Sequence, residues 1–170
     1  DLVPIVEPEV LMDGNHSAER CYEVTSKILK NVFEELIFQR VFLGGILLKP
    51  NMILNGESSA LKNESEDIAS MTVQCLKENV PSEVPGVVFL SGGQSNEMAT
   101  ENLSVMNKNN TNLPFKLSYS YGRALQQPVL SSWLGDSRKV SLAQEKLILR
   151  SRLNSLACSG NYNSELEEKN

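Results

Sequence analysis

Val41-Phe42-Leu43-Gly44-Gly45-Ile46-Leu47-Leu48 is an uncharged run that stops at Lys49-Pro50-Asn51-Met52. Its length and its wealth of Val, Leu and Ile fit a strand buried on both faces, as in a parallel sheet. The proline removes a backbone donor and ends the pairing. Three similar runs lie along the chain: Leu2-Val3-Pro4-Ile5-Val6 before it, and Val84 to Leu90 and Phe115 to Ser120 after it. Four β-type runs spaced by longer segments are the rhythm of βα units.

The intervening segments read as helices. From Ser17 to about Gln39, Cys21, Val24, Ile28, Val32 and Leu36 recur at three- and four-residue steps, which predicts one buried face. Glu64 to Asn79 repeats the pattern through Ile68, Thr72, Cys75 and Leu76, with Pro81 beyond its end. Asn96 to Asn107 turns Ala99, Leu103 and Met106 inward, and Arg123 to Trp133 and Val140 to Leu156 form two more helices, broken at Gly135-Asp136. The order βαβαβαβα predicts an α/β fold with a parallel sheet. Right-handed crossovers put all helices on one side if the sheet curls, and on both sides if it stays open. Eight strands make the common closed barrel and four cannot. With a first residue that is Asp1 and not Met, the expectation is the carboxyl-terminal half, strands 5 to 8, of a TIM (β/α)8 barrel. Residues 1–158 form this partial barrel, and 159–170 a polar tail expected to fray.

The 170 residues are 41% hydrophobic and 22% charged, ordinary globular values that exclude collagen-like, low-complexity and wholly disordered chains. The uncharged run at Val41 to Leu48 is far short of the roughly 20 residues that cross a bilayer, so no membrane association is expected. A net charge of −5 argues against nucleic acid. Cys21, Cys75 and Cys158 are odd in number and widely spaced, and are read as reduced thiols in or near packed helices. His16, the single histidine, lies in the polar loop Asp13-Gly14-Asn15-His16 and cannot build a metal site alone. No secretory pattern is evident, so the cytoplasm is the expected compartment, and the sequons at Asn15, Asn63, Asn102 and Asn109 are read as chance.

The chemistry is placed by the ends of the strands. Lys49 ends an apolar strand on the side where α/β barrels keep their active sites. Apolar surroundings disfavour an ammonium, and a neutral amine can attack a carbonyl to form a Schiff base. By position alone, a lysine pointing to solvent is the competing reading. Glu7 and Glu9 end the first run and share a face, so both carboxylates can point into one cavity. Glu7 and Lys49 are 42 residues apart, as are Lys49 and Ser91 (49 − 7 and 91 − 49). Equal spacing predicts equivalent places on successive units. The last two strands run into Ser91-Gly92-Gly93-Gln94-Ser95 and Ser120-Tyr121-Gly122-Arg123. Glycine admits backbone N–H groups to an anion, the next helix adds its positive end, and Arg123 can grip phosphate. Barrels often bind phosphate after their last two strands. Neither loop has P-loop spacing.

Val6-Glu7-Pro8-Glu9, Leu47-Leu48-Lys49-Pro50-Asn51-Met52, Phe89-Leu90-Ser91-Gly92-Gly93-Gln94-Ser95, Ser120 to Gln126 and Asn154-Ser155-Leu156-Ala157 together resemble class I fructose-1,6-bisphosphate aldolase, in its carboxyl-terminal half. The resemblance implies a lyase of glycolysis and gluconeogenesis that cleaves a sugar phosphate substrate, fructose 1,6-bisphosphate, without metal or cofactor, as a cytoplasmic homotetramer. It implies Lys49 as the Schiff-base lysine, Glu7 in proton transfer and Glu9 as organiser of basic groups. It implies Ser91, Gly92, Ser120, Gly122 and Arg123 around a substrate phosphate.

The sequence departs from that family at Gly44, where a glutamate is usual, and at Asn96, where an acidic residue is usual. The resemblance also implies an aspartate, two lysines and an arginine from the first four strands, and an aromatic carboxyl-terminal tail. The isolated chain is therefore expected to lack full activity. A non-catalytic remnant or interaction module is the competing reading, since a half-barrel leaves two sheet edges open.

Overall fold

The four apolar runs meet in one parallel sheet, in chain order: β1 Ile5–Val6, β2 Leu47–Leu48, β3 Gly86–Phe89 and β4 Lys116–Tyr119. The computed structural model describes residues 2–62 and 64–168. Each crossover carries a helix: α1 Ala18–Phe38, α2 Ser65–Asn79 and α3 Asn96–Asn109, with α4 Arg123–Trp133, α5 Val140–Ala157 and the short α6 Glu165–Glu168 following β4. Ser17 and Ser95 cap α1 and α3, accepting the N–H groups of Arg20 and Met98.

All the long helices lie on one side of the sheet. α1 packs on α2, α2 on α3, α3 on α5 and α5 on α4. Beneath them Leu48, Val87, Phe89 and Leu117 are buried. On the opposite face, register sets Ile5 beside Leu47, and Ile5 stays 49% exposed. One covered face and one open face is the arrangement of a curled sheet. The core is the seam between strands and helices, filled by Leu29, Ile53, Ile68, Leu76, Leu103 and Leu153 among others.

The strands are shorter than the runs that form them. The expected strand from Val41 to Leu48 becomes a 3-10 turn at Leu43–Gly45 and only two paired residues, because Gly44-Gly45 lets the chain coil and the Phe42 ring folds over both glycines. β1 begins only at Ile5, since Pro4 can accept from Leu47 but has no N–H to donate. The buried stripe of α1 is also turned from the expected one. Ala18, Cys21, Thr25, Leu29 and Phe33 are buried, while Val24, Ile28 and Val32 flank them half-covered. Thr25 hides in the stripe because its hydroxyl is satisfied by Asn51. In α2 and α3 the expected inward residues are the buried ones.

Beyond Ser159 the structure differs from a loose tail. Gly160 turns the chain with φ +69° tightly against Lys108, Tyr162 is buried, and Glu167 pairs with Arg150. Cys21 and Cys75 are free and buried, and Cys158 is free and partly covered. Of the sequons, Asn102 is fully buried and donates to Gln94, which leaves no room for a glycan there; Asn63 lies outside the described residues. Among the described residues no helix is long and apolar enough to cross a membrane.

Candidate active site

Glu7 and Lys49 stand level at the carboxyl ends of adjacent strands. Ile5 pairs with Leu47 and Val6 with Leu48, and Lys49 N–H donates to Val6 O at 2.7 Å, which carries the register one residue further. Their side chains therefore project to the same face. Lys49 Nζ lies 3.0 Å from Glu7 Oε1, with the lysine side chain only 19% exposed and the glutamate 47%. The lysine does not point freely into solvent. A largely covered ammonium with a carboxylate at contact distance has a proton acceptor in place.

Asn51 is a further member of this site, which sequence reasoning passed over. It is 2% exposed. Its Oδ1 accepts Val10 N–H, one residue past Glu9, and its Nδ2 donates to Thr25 Oγ1 and Met52 O. It thus ties the Glu7–Glu9 loop, the strand of Lys49 and α1 together. The signal was present as one amide inside the apolar stretch Pro50-Asn51-Met52-Ile53-Leu54: such a group must be bonded when buried.

The equal spacing of 42 holds only for the first pair. β2 and β3 pair Leu48 with Val87, an offset of 39 (87 − 48), so Val88 is level with Lys49 and Ser91 lies three residues farther out, about 10 Å along the strand direction. The β2–β3 connection is three residues shorter than the β1–β2 connection, which equal spacing cannot reveal. Ser91 is buried, and its Oγ accepts Ala124 N–H at the start of α4. Gly92 sits between charges of opposite sign: a Cβ there would stand 3.4 Å from Glu9 Oε1 and 3.5 Å from Arg123 Nη2. Ser120 joins through its backbone, N–H to Phe89 O, and Gly122 caps α4, whose first residue Arg123 is exposed. Gly93 has φ +74° and lies against Met12, so the loop after β1 and the loop after β3 touch directly. Glu7 with Lys49 forms one cluster; Glu9, Ser91, Gly92 and Arg123 form a second, farther from the strand ends.

Gly44 lies in the turn before β2, at the opposite end of that strand from Lys49. A side chain there would meet the Phe42 ring at 2.8 Å, so the ring occupies the space a larger residue takes. This departure concerns local packing at the far end of the strand.

Parallel βα units, one open sheet face and every charged candidate at the carboxyl ends of the strands define a barrel-type α/β enzyme class. The chain matches the family model for fructose-bisphosphate aldolase class-I over residues 1–170, and it belongs to that family. It is 51% identical over 161 residues to fructose-bisphosphate aldolase B of Gallus gallus, covering 95% of this chain and 44% of the relative. It is 51% identical over 164 residues to fructose-bisphosphate aldolase of Dictyostelium discoideum, covering 96% and 46%. Among solved structures it superposes, with a TM-score of 0.92 and 48% identity, on the aldolase of Plasmodium falciparum in complex with TRAP and a small-molecule inhibitor, covering 96% of this chain and 47% of that one. The chain thus spans a little under half the length of these relatives, and its four-stranded α/β sheet corresponds to half of a barrel.

Proposed function

We propose that this chain provides the Schiff-base half of a class I aldolase that cleaves fructose 1,6-bisphosphate to dihydroxyacetone phosphate and glyceraldehyde 3-phosphate. The observation that carries this is the 3.0 Å contact of a largely covered Lys49 with Glu7 at the strand ends. Glu7 accepts a proton from the Lys49 ammonium, and the freed amine attacks C2 of the ketose. The carbinolamine loses its hydroxyl as water when Glu7 returns the proton, leaving an iminium. The iminium draws in the C3–C4 bonding pair as the C4 hydroxyl gives up its proton, and glyceraldehyde 3-phosphate departs. Protonation of the enamine at C3 and hydrolysis release dihydroxyacetone phosphate and restore Lys49.

Ser91, Gly92, Ser120, Gly122 and Arg123 hold one phosphate, and Glu9 beside Gly92 orients the basic groups there. The distance between the two clusters suits a substrate whose carbonyl reaches Lys49 while its phosphate stays at the loops. Positioning by the phosphate converts the attack on C2 into an intramolecular event. Four further βα units supply the remaining polar groups of the closed barrel, and the whole protein works as a cytoplasmic homotetramer.

A second reading, a non-catalytic interaction module, is favoured by the uncovered sheet face, where Ile5 is half-exposed, and by the exposed Leu2 and Val3 that precede it. Cleavage of fructose 1,6-bisphosphate separates the two. The enzyme reading expects glyceraldehyde 3-phosphate, without added metal, from the full-length protein that contains this half, and none from its Lys49→Met variant. Absence of product from both supports the module; product from both points to a different lyase mechanism.

A further inference from the structure

Outside the two charged clusters, a buried arginine bonds in two directions at once. Arg150 on α5 is 3% exposed. Its Nη2 donates to Asn96 O at 2.9 Å and to Thr100 Oγ1. Asn96 is the first residue of α3 and directly follows the Ser91–Ser95 loop. Arg150 Nη1 donates in the other direction, to Glu167 Oε1 at 2.6 Å, and Tyr162 O–H donates to the same oxygen at 2.9 Å. Thr100 Oγ1 also bonds Asn154 Oδ1 at 2.7 Å, and Asn102 Nδ2 reaches back to Gln94 Oε1 in the glycine loop at 2.8 Å. A polar chain therefore runs from the segment after α5, through one guanidinium, to the first turn of α3, which the backbone at Ser95–Asn96 joins to the glycine loop.

A buried guanidinium is tolerated when a carboxylate pairs with it and is costly when that partner leaves. Glu167 is the carboxylate, and it belongs to the segment that turns at Gly160. If that segment lifts away, Arg150 either stays buried without its counter-charge or swings outward, releasing Asn96 O and Thr100. Both outcomes are felt at α3.

We propose that Arg150 is a positioning residue that makes the seating of residues 160–168 and the placement of the first turn of α3 one event, so that losing the Glu167 contact loosens the Ser91–Ser95 loop and weakens its hold on phosphate. This deepens the proposed function and rests on its reading of that loop as a phosphate site. The two ideas separate experimentally. Inorganic phosphate is titrated into the isotopically labelled chain while the Gly92 and Gly93 amides are followed by NMR, and hydrogen exchange is measured at Met98, Ala99 and Thr100. In Glu167→Ala, and in Arg150→Lys, which keeps the charge without the planar fork, phosphate affinity falls about fivefold or more and the three amides exchange faster. Leu29→Ala, a core truncation in α1, controls for general destabilisation and leaves phosphate affinity at its wild-type value. Unchanged exchange at Met98 to Thr100 in Glu167→Ala, with the Tyr162 amide released, overturns the coupling. No perturbation of the wild-type Gly92 and Gly93 amides by phosphate, with exchange still accelerated in the variants, overturns the phosphate reading and the affinity part of the proposal but preserves the mechanical link.

Discussion

Lys49 and Glu7 form a contact that sequence spacing anticipated, and the reason is local. A uniform strand register between β1 and β2 preserves the 42-residue offset up to both side chains. In the proposed reaction Glu7 takes the proton of the amine it touches, so Glu7→Gln is expected to slow imine formation roughly 100-fold or more while leaving the lysine in place. A timed reduction quench measures this, and an unchanged rate removes Glu7 from the proton transfer. The thiols offer a second test at the same scale. Burial pushes Cys21, Cys75 and Cys158 up from 9.0, which keeps them protonated and slow to react. Cys158 is the least covered, so alkylation of the native protein should label its peptide before those of Cys21 and Cys75. Asn51 shows where residue-level reading fell short: the amide was visible, but its partners Val10 and Thr25 lie 41 and 26 residues away.

Elements were legible wherever the local signals agreed. α3 announces itself by a serine cap, an apolar stripe and a glycine loop before it, and its inward residues are those expected. Ser95→Ala should cost about 1 kcal/mol in a urea unfolding curve through loss of the cap on Met98. The β2 run misled because its composition is that of a strand while its glycine pair permits a tight turn; only the packing of Phe42 decides between them. The α1 stripe misled because apolar spacing alone leaves out Thr25, which is buried together with its partner Asn51. At the contact between the loops after β1 and β3, Gly93→Ala forces a side chain into positive φ and within 2.7 Å of Met12 Cβ, an atom that cannot swing aside. A loss of about 1–3 kcal/mol is expected. A wild-type unfolding midpoint for that variant contradicts the tight loop contact.

Across the whole molecule, the titrating groups with raised values share one direction. Burial lifts the three thiols above 9.0 and also lifts Tyr22, Tyr119, Tyr121 and Tyr162 above 10.0. The unfolded chain therefore gives up these protons first. Their contribution to stability is fully present below about pH 9 and is lost as pH climbs beyond it. Urea midpoints that stay level from about pH 8 to about pH 10.5 contradict this. The global arrangement, four parallel strands with helices on one side, followed from the alternation of runs and from the resemblance at their ends. What the chain could not disclose is the mutual depth of the two clusters: it depends on a three-residue difference between the β1–β2 and β2–β3 offsets, which appears only when the strands are paired.

Reductive trapping probes the nucleophile without requiring carbon–carbon cleavage. The protein is mixed with dihydroxyacetone phosphate, treated with borohydride, digested and mapped by mass spectrometry. The account predicts a reduced triose phosphate adduct on Lys49, diminished in Glu7→Gln and absent in Lys49→Met. An unmodified Lys49 peptide, or an adduct confined to other lysines, contradicts it.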